Sequence, residues 1–298
     1  MSAYQTVAIA GATGNLGPSV LNALAAAGTF KITVLSRKAT IPNLPSGVTV
    51  AQVDYSSHSS LVSALKGHDA LVSVISDFDS QPALIDAAIE AGVSRFIPSE
   101  FGSDSFGNEN ARKLPVFGGK VKTQEYLASK KDQISYSFVI NGAFLDWGIM
   151  VGFVISPKDE AENKIYDDGD RKRSMTLLSD VGKAVVGVLN HPEETKNKAL
   201  YIQSAAVSQN QLLDIAQKIK PGLKVVRKAV DTADVEKNSY GILGQGKDAN
   251  IGEAMIGFII VSIFRDGYGG LFEKNDNELL GVKSLSEEEL VKVVAQYV

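Results

Sequence analysis

Apolar residues in the first half of the chain cluster in short runs, at 7–10 (VAIA), 31–35 (KITVL), 48–53 (VTVAQV), 69–75 (DALVSVI), 95–98 (RFIP) and 136–140 (YSFVI). Runs of this length, bounded by turn residues, are the pattern of strands buried on both faces. Between them the period becomes helical, from Pro18 onward, over 59–66, and over 81–91 with Pro82 early and Gly92 just past the end. Alternating strand and helix signals predict an α/β fold, a Rossmann-like doubly wound parallel sheet with right-handed crossovers. A stretch rich in Gly, Ser, Asp and Asn follows at 99–115, then a helix to about residue 130. Loops that long inside a compact unit are more often functional than idle.

The second half loses the alternation. Residues 163–166 and 171–177 flank Asp167-Asp168-Gly169-Asp170 and read as a hairpin with a glycine turn. Helices are expected over 179–190 with Ser179 as cap, over 208–219 with Ser208 and Gln211 forming a capping box, and at the end, where Ser286 and Glu289 repeat that box and Leu285 can staple Leu290. Strand signals fall at 199–203 and at Val225-Val226, and the apolar stretch 254–264 reads as a buried segment, a candidate pocket wall.

Composition narrows the partners. A net charge of −4, with no basic cluster longer than Arg171-Lys172-Arg173, argues against a nucleic-acid partner. The absence of cysteine excludes disulfides, thiol catalysis and thiolate metal sites, and His58, His68 and His191 have no neighbour at metal or triad spacing, so no metal is expected. No apolar run approaches the ~20 residues of a membrane helix. The first ten residues, MSAYQTVAIA, run straight into a strand and leave no room for a leader, so a cytoplasmic protein is expected. Oligomeric state, monomer or homodimer, is not encoded in any of these patterns.

The chemistry starts where the first strand meets glycines. In 7–17 (VAIAGATGNLG) a strand, a tight turn and a helix N-terminus follow in order, which presents unpaired N–H groups and a helix dipole to an anion. Gly11 suits the turn, Gly14 the approach of a pyrophosphate and Gly17 close helix packing, with Thr13, Asn15 and Leu16 in the same turn. Arg37 and Lys38 follow the second strand, where an acidic residue would bind ribose hydroxyls and an arginine accommodates a 2′-phosphate. The cofactor expected is therefore NADP(H). Asp54, Ser76, Ser99, Glu100, Phe101 and Asn141 leave the carboxyl ends of later strands and should border it. The expected organisation is a dinucleotide-binding unit over 1–155 and a smaller α/β substrate lobe over 156–298, with chain crossings between them.

With the glycine turn, Arg37, 95–102 (RFIPSEFG) and Phe117-Gly118-Gly119-Lys120 together, the chain resembles the NmrA-like branch of the atypical short-chain dehydrogenases. Within it, the sequence is similar to the isoflavone reductase-like group, which also holds phenylcoumaran benzylic ether, pinoresinol–lariciresinol and eugenol-type reductases, and 141–147 resembles a fungal or microbial subtype. The resemblance spans essentially the whole chain. It implies hydride transfer from NADPH to a benzylic or conjugated carbon of a small phenolic substrate. It also implies that the lysine of a Phe-x-x-Lys pattern, here Lys120, acts as general acid or base beside the cofactor.

Elementary chemistry supports the same lysine. Partial burial next to a helix N-terminus lowers its proton affinity, so that it can take a phenol or enol proton. A competing pair, Tyr126 and Lys130, matches the Tyr-x-x-x-Lys of ordinary short-chain dehydrogenases but lies towards the far end of the helix, and Val116 occupies the tyrosine position of the lysine's own frame. Phe101, Phe144, Trp147, Met150 and Phe153 are candidate walls of an aromatic substrate pocket. The alternative activity is that of a non-catalytic NmrA-type sensor, which binds NADP(H) and regulates a protein partner.

Overall fold

The computed structural model describes residues 4–298; residues 1–3, part of the stretch weighed against a leader, lie outside the described residues. The first half runs β1 (Thr6–Ala10), α1 (Gly17–Ala26), β2 (Lys31–Ser36), β3 (Thr49–Gln52), α2 (His58–Leu65), β4 (Ala70–Ser73), α3 (Gln81–Ala91) and β5 (Arg95–Ile97). It continues through α4 (Glu109–Arg112), α5 (Gly118–Ser129), β6 (Ser135–Ile140), β7 (Ala143–Phe144) and α6 (Leu145–Met150). The second half runs β8 (Glu162–Tyr166), β9 (Arg173–Thr176), α7 (Leu178–Asn190), β10 (Lys198–Tyr201), β11 (Ala205–Val207), α8 (Gln209–Ile219) and β12 (Val226–Val230). It ends with α9 (Thr232–Leu243), α10 (Ile251–Phe264), α11 (Asn277–Leu280) and α12 (Glu287–Ala295).

Seven strands form one parallel sheet in the order β10-β6-β5-β4-β1-β2-β3. Side chains alternate between its faces, as the strand period of two requires. Val7 and Ile9 pack with Leu21 and Leu24 of α1 and Val181 and Val185 of α7, whereas Ala8 and Ala10 pack with Leu61 and Leu65 of α2 and Leu84 of α3. The chain order reverses at β1, between β2 and β4, and the crevice beyond the carboxyl ends there is the ligand position of such sheets.

Two pieces of the second half complete this layer. β10 pairs with β6, and α7 lies on α1 so closely that a Cβ on Gly182 would sit 2.6 Å from the Ser19 carbonyl oxygen. The boundary expected near 155 is thus crossed by 178–201, which returns to the sheet before the chain goes back to the lobe.

The lobe corrects several local expectations. β8 and β9 are not a hairpin: β8 pairs in parallel with β12, while β9 sits between β11 and β7. The turn between them is nonetheless real, with Asp167 and Gly169 at φ +55° and +72°. Ser179 does not cap α7; its N-terminus is served by Asp146 of α6, whose carboxylate accepts from Leu178 N at 3.1 Å. Both predicted capping boxes form, at Ser208 with Gln211 and Ser286 with Glu289. The 254–264 stretch makes most of α10, which stands between two apolar clusters. Ile259 and Ile260 face the lobe core with Phe153 and Ile149, and Ala254, Phe258 and Val261 face Leu114 and Phe117 ahead of α5. Among the described residues no helix is long and apolar enough to cross a membrane.

Candidate functional site

The glycine turn has the geometry its spacing requires. Gly11 takes φ +89°, a conformation open to glycine, and Gly14 N donates to Gly11 O at 3.1 Å. A Cβ on Gly17 would lie 2.3 Å from that same oxygen, so α1 can start this close to the turn only without a side chain. Gly14 differs: a Cβ there would meet nothing nearer than 3.5 Å. Thr13, Gly14 and Asn15 are exposed, Leu16 is buried, and no side chain caps α1. The turn thus offers main-chain donors and an open face, the fit that a pyrophosphate requires.

Beside it, Arg37, Gln52, Val53 and Asp54 line a hollow of about 440 Å³. Gln52 Nε2 holds the Arg37 carbonyl at 3.2 Å, and Lys38 N donates to Ser36 Oγ, leaving both basic side chains exposed. Asp54 is also exposed, and hydrogen bonds from Ser56 hold its carboxyl below the ordinary range. A roomier groove of about 660 Å³ runs along α1 and α7, lined by Asn22, Ala26, Lys183 and Asn190 among others, and does not open on the strand ends.

At the other side of the crevice stands Lys120, third residue of α5 and only 6% exposed. Its Nζ donates to the main-chain oxygens of Glu100 (2.7 Å) and Phe101 (2.9 Å), with the Phe78 and Phe117 ring centres 6.0 and 5.8 Å away. Gly119 permits that enclosure, because a Cβ there would lie 2.6 Å from the Phe78 Cβ. Gly102, at φ +128°, turns the loop so that its carbonyl accepts from Asn141 N and Gly142 N, which ties the β5 end to the β6 end. Burial lowers the proton affinity of Lys120, and the Glu100 charge works against that. With both N–H bonds of a neutral amine given to carbonyls, what remains is a lone pair; the protonated amine has one further N–H to give.

Glu100 itself is 1% exposed, and its carboxylate turns to Gln124 Nε2 at 2.7 Å, away from the crevice floor. Buried side-chain atoms without a partner, among the described residues, include Glu100 Oε1, Asn141 Oδ1 and Gln81 Oε1. Glu100 and Asn141 lie just beyond the carboxyl ends of β5 and β6, and Gln81 opens α3 with its amide bonded to Ser73 at the end of β4. Buried polar groups are rarely left unpaired except where a ligand or chemistry uses them, so the orphans of Asn141 and Gln81 also fit a bound dinucleotide. Gln81, whose amide donates to Ser73 Oγ, had no signal in the sequence; Gln124 did, four residues past Lys120 on one helix face.

Ser76 is exposed and Ser99 half-buried at their strand ends. Of the aromatic candidates, Phe101 is buried, Phe144 and Trp147 meet edge to face at 6.4 Å, Phe153 packs in the lobe core and Met150 is exposed at the end of α6. Ser103, two residues past Phe101, meets Ser262 of α10 at 2.8 Å, which brings α10 alongside this loop. Tyr126 points elsewhere. Its hydroxyl bonds Asp86 of α3 at 2.5 Å, and that bond, chiefly, pushes its pKa up to about 12.

The sequence profile of the NmrA-like family matches residues 3–259. The oxidoreductase aprR of Aspergillus flavus is 33% identical over 295 residues, covering 96% of this chain and 97% of that protein. The isoflavone reductase homolog IRL of Zea mays is 34% identical over 71% of this chain and 73% of its own. Among solved structures, AtPrR2 with NADP+ and (+)pinoresinol superposes over all of both chains with a TM-score of 0.79 at 24% identity, a likeness of fold.

Proposed function

The chain belongs to the NmrA-like family and is an NADP(H)-dependent oxidoreductase of its isoflavone reductase-like branch, and from the setting of Lys120 we propose that it reduces a benzylic or conjugated carbon of a small phenolic substrate, with Lys120 moving the proton. The observation that carries this reading is a buried lysine with both donors of its neutral form committed to the Glu100 and Phe101 carbonyls.

The glycine turn and the α1 N-terminus would hold the pyrophosphate, Arg37 with Lys38 the 2′-phosphate, and Asn141, through its unpartnered Oδ1, the nicotinamide end. NADPH supplies the hydride. Lys120 takes the phenol or enol proton when neutral and returns it when charged, inside a setting from which Phe78 and Phe117 exclude water. Phe101, Phe144, Trp147, Met150 and Phe153 contribute the aromatic and apolar wall, and the lobe, with α10, closes the pocket. A non-catalytic sensor of NADP(H) would give the enclosure of Lys120 no task.

The test is NADPH consumption against phenolic ethers, aromatic enones, quinones and allylic esters, for wild type and Lys120→Ala in parallel. Turnover by the wild type that falls by a factor of about 10²–10⁴ in the variant, with NADPH binding kept, is the expected result. Undiminished turnover in Lys120→Ala overturns the assignment.

A further inference from the structure

Lys120 and Gln124 stand four residues apart on one face of α5, and both grip the same residue. Lys120 holds the main-chain oxygen of Glu100 at 2.7 Å, and Gln124 holds its carboxylate at 2.7 Å. Gln124 passes the contact on. Its Oε1 accepts from Arg112 of α4 at 2.8 Å, and its Nε2 also reaches Ser105 Oγ at 3.1 Å. A wholly buried carboxyl therefore sits behind a wholly buried amine, with a guanidinium one amide further back and with Glu100 Oε1 unpartnered.

We propose that Glu100 is a positioning residue for proton transfer: its carboxyl and the Lys120 amine, buried close together with no direct contact, carry one proton in all, and the ionisation of Glu100 sets through space how readily Lys120 accepts the substrate's. This rests on Lys120 being the proton-transfer group. The physical reason is that a buried ammonium beside a neutral acid, or a buried carboxylate beside a neutral amine, leaves one uncompensated charge in a low dielectric, whereas one shared proton leaves either an ion pair or two neutral groups. Arg112, through Gln124, favours the carboxylate and so keeps Lys120 from losing its proton too easily.

Other charges near the pair are engaged elsewhere. Asp104, in the same loop, accepts from Phe106 N, Gly107 N and the Tyr201 hydroxyl. Asp77, beside Phe78, is exposed and accepts from Asp79 N and Ser80 Oγ. Glu125, next to Gln124 on α5, is exposed and pairs with Arg112 at 2.7 Å. From α10 the contact to this loop is the neutral Ser262.

The experiment follows the two groups directly, in protein labelled with [¹³Cε]lysine and [¹³Cδ]glutamate and saturated with NADP⁺, by NMR across pH. Lys120→Ala and Glu100→Gln identify the signals. In Glu100→Gln the midpoint of Lys120 should fall by about one to three pH units, as loss of a neighbouring opposite charge requires, and in Glu100→Asp it should return towards wild type. Gln124→Leu, which removes a donor from the carboxylate, should move Lys120 in the same direction. Should these variants not fold, the wild type still decides, because a shared proton makes both signals move at the same two midpoints. An unmoved Lys120 in a folded Glu100→Gln, or independent titration of the two groups in wild type, overturns the inference. That outcome is distinct from turnover surviving in Lys120→Ala, which overturns the proposed function instead.

Discussion

The hydroxyls of Ser103 and Ser262 lie 2.8 Å apart across 159 positions of sequence. Ser262 gives its own hydrogen to Ile259 O at 2.7 Å, so Ser103 is the donor between them. The pair fastens α10 to the loop whose carbonyls hold Lys120. Ser262→Ala leaves the Ser103 hydroxyl buried without an acceptor, at a cost of about 1–3 kcal/mol. The double variant Ser103→Ala/Ser262→Ala removes both partners and should cost no more than the single one. Urea midpoints of the wild type, the single and the double variant check this, and a double variant less stable than Ser262→Ala would refute it.

The glycines of the turn should separate by what they affect. Gly17→Ala places a Cβ 2.3 Å from main chain that cannot give way, so thermal stability and NADPH affinity should fall together, stability by about 1–3 kcal/mol. Gly14→Ala meets nothing inside 3.5 Å. Its melting temperature should stay within a degree or so of wild type for want of a clash, while NADPH affinity drops. Calorimetry in the absence and presence of NADPH distinguishes the two.

Arg37→Ala should weaken NADPH by about 10- to 100-fold, the worth of one or two charge-assisted hydrogen bonds, and leave NADH affinity unchanged. Fluorescence titration of both nucleotides is the measurement. Equal losses for the two would assign Arg37 to something other than the 2′-phosphate.

Tyr126→Phe should keep wild-type turnover, since the hydroxyl is committed to Asp86 of α3. The same tyrosine belongs to an alkaline effect. Tyr126, by its bond to Asp86, and Tyr55 and Tyr166, by burial, are raised from 10.0 to about 12. Folding therefore favours their neutral forms; that stability is complete below pH 10 and is lost as pH rises through the folded values. Urea midpoints should hold from pH 8 to pH 10 and decline between pH 10 and pH 12.

Local signals were legible where the cause was local. The turn at Gly11, the caps at Ser208 and Ser286 and the strand–helix alternation each depend on residues within a few positions, and the sequence carries them openly. Partner choice was not legible. The turn at Asp167–Gly169 forms, yet β8 finds β12 and β9 finds β11, because strand pairing is decided by what else the lobe must bury. The cap of α7 comes from Asp146, 32 positions away, where no window around Ser179 could show it. Glu100 lay in the right motif with its side chain facing the other way. The β-strand end fixes the residue's place, but Gln124 and Arg112 decide where its carboxylate goes.

The crossing of 178–201 back into the sheet has a consequence for how the protein is made. β6 waits for β10 before its second edge is paired, and α1 waits for α7 before its outer face is covered. At roughly 5–20 residues per second, the ribosome needs several seconds to deliver those elements after β6 has emerged. During that interval Ser137–Ile140 is an open edge of wholly buried-type residues on the nascent chain. A ribosome stalled before Tyr201 therefore leaves a product whose β6 edge is unpaired and whose α1 face is uncovered, a strand for other chains to join.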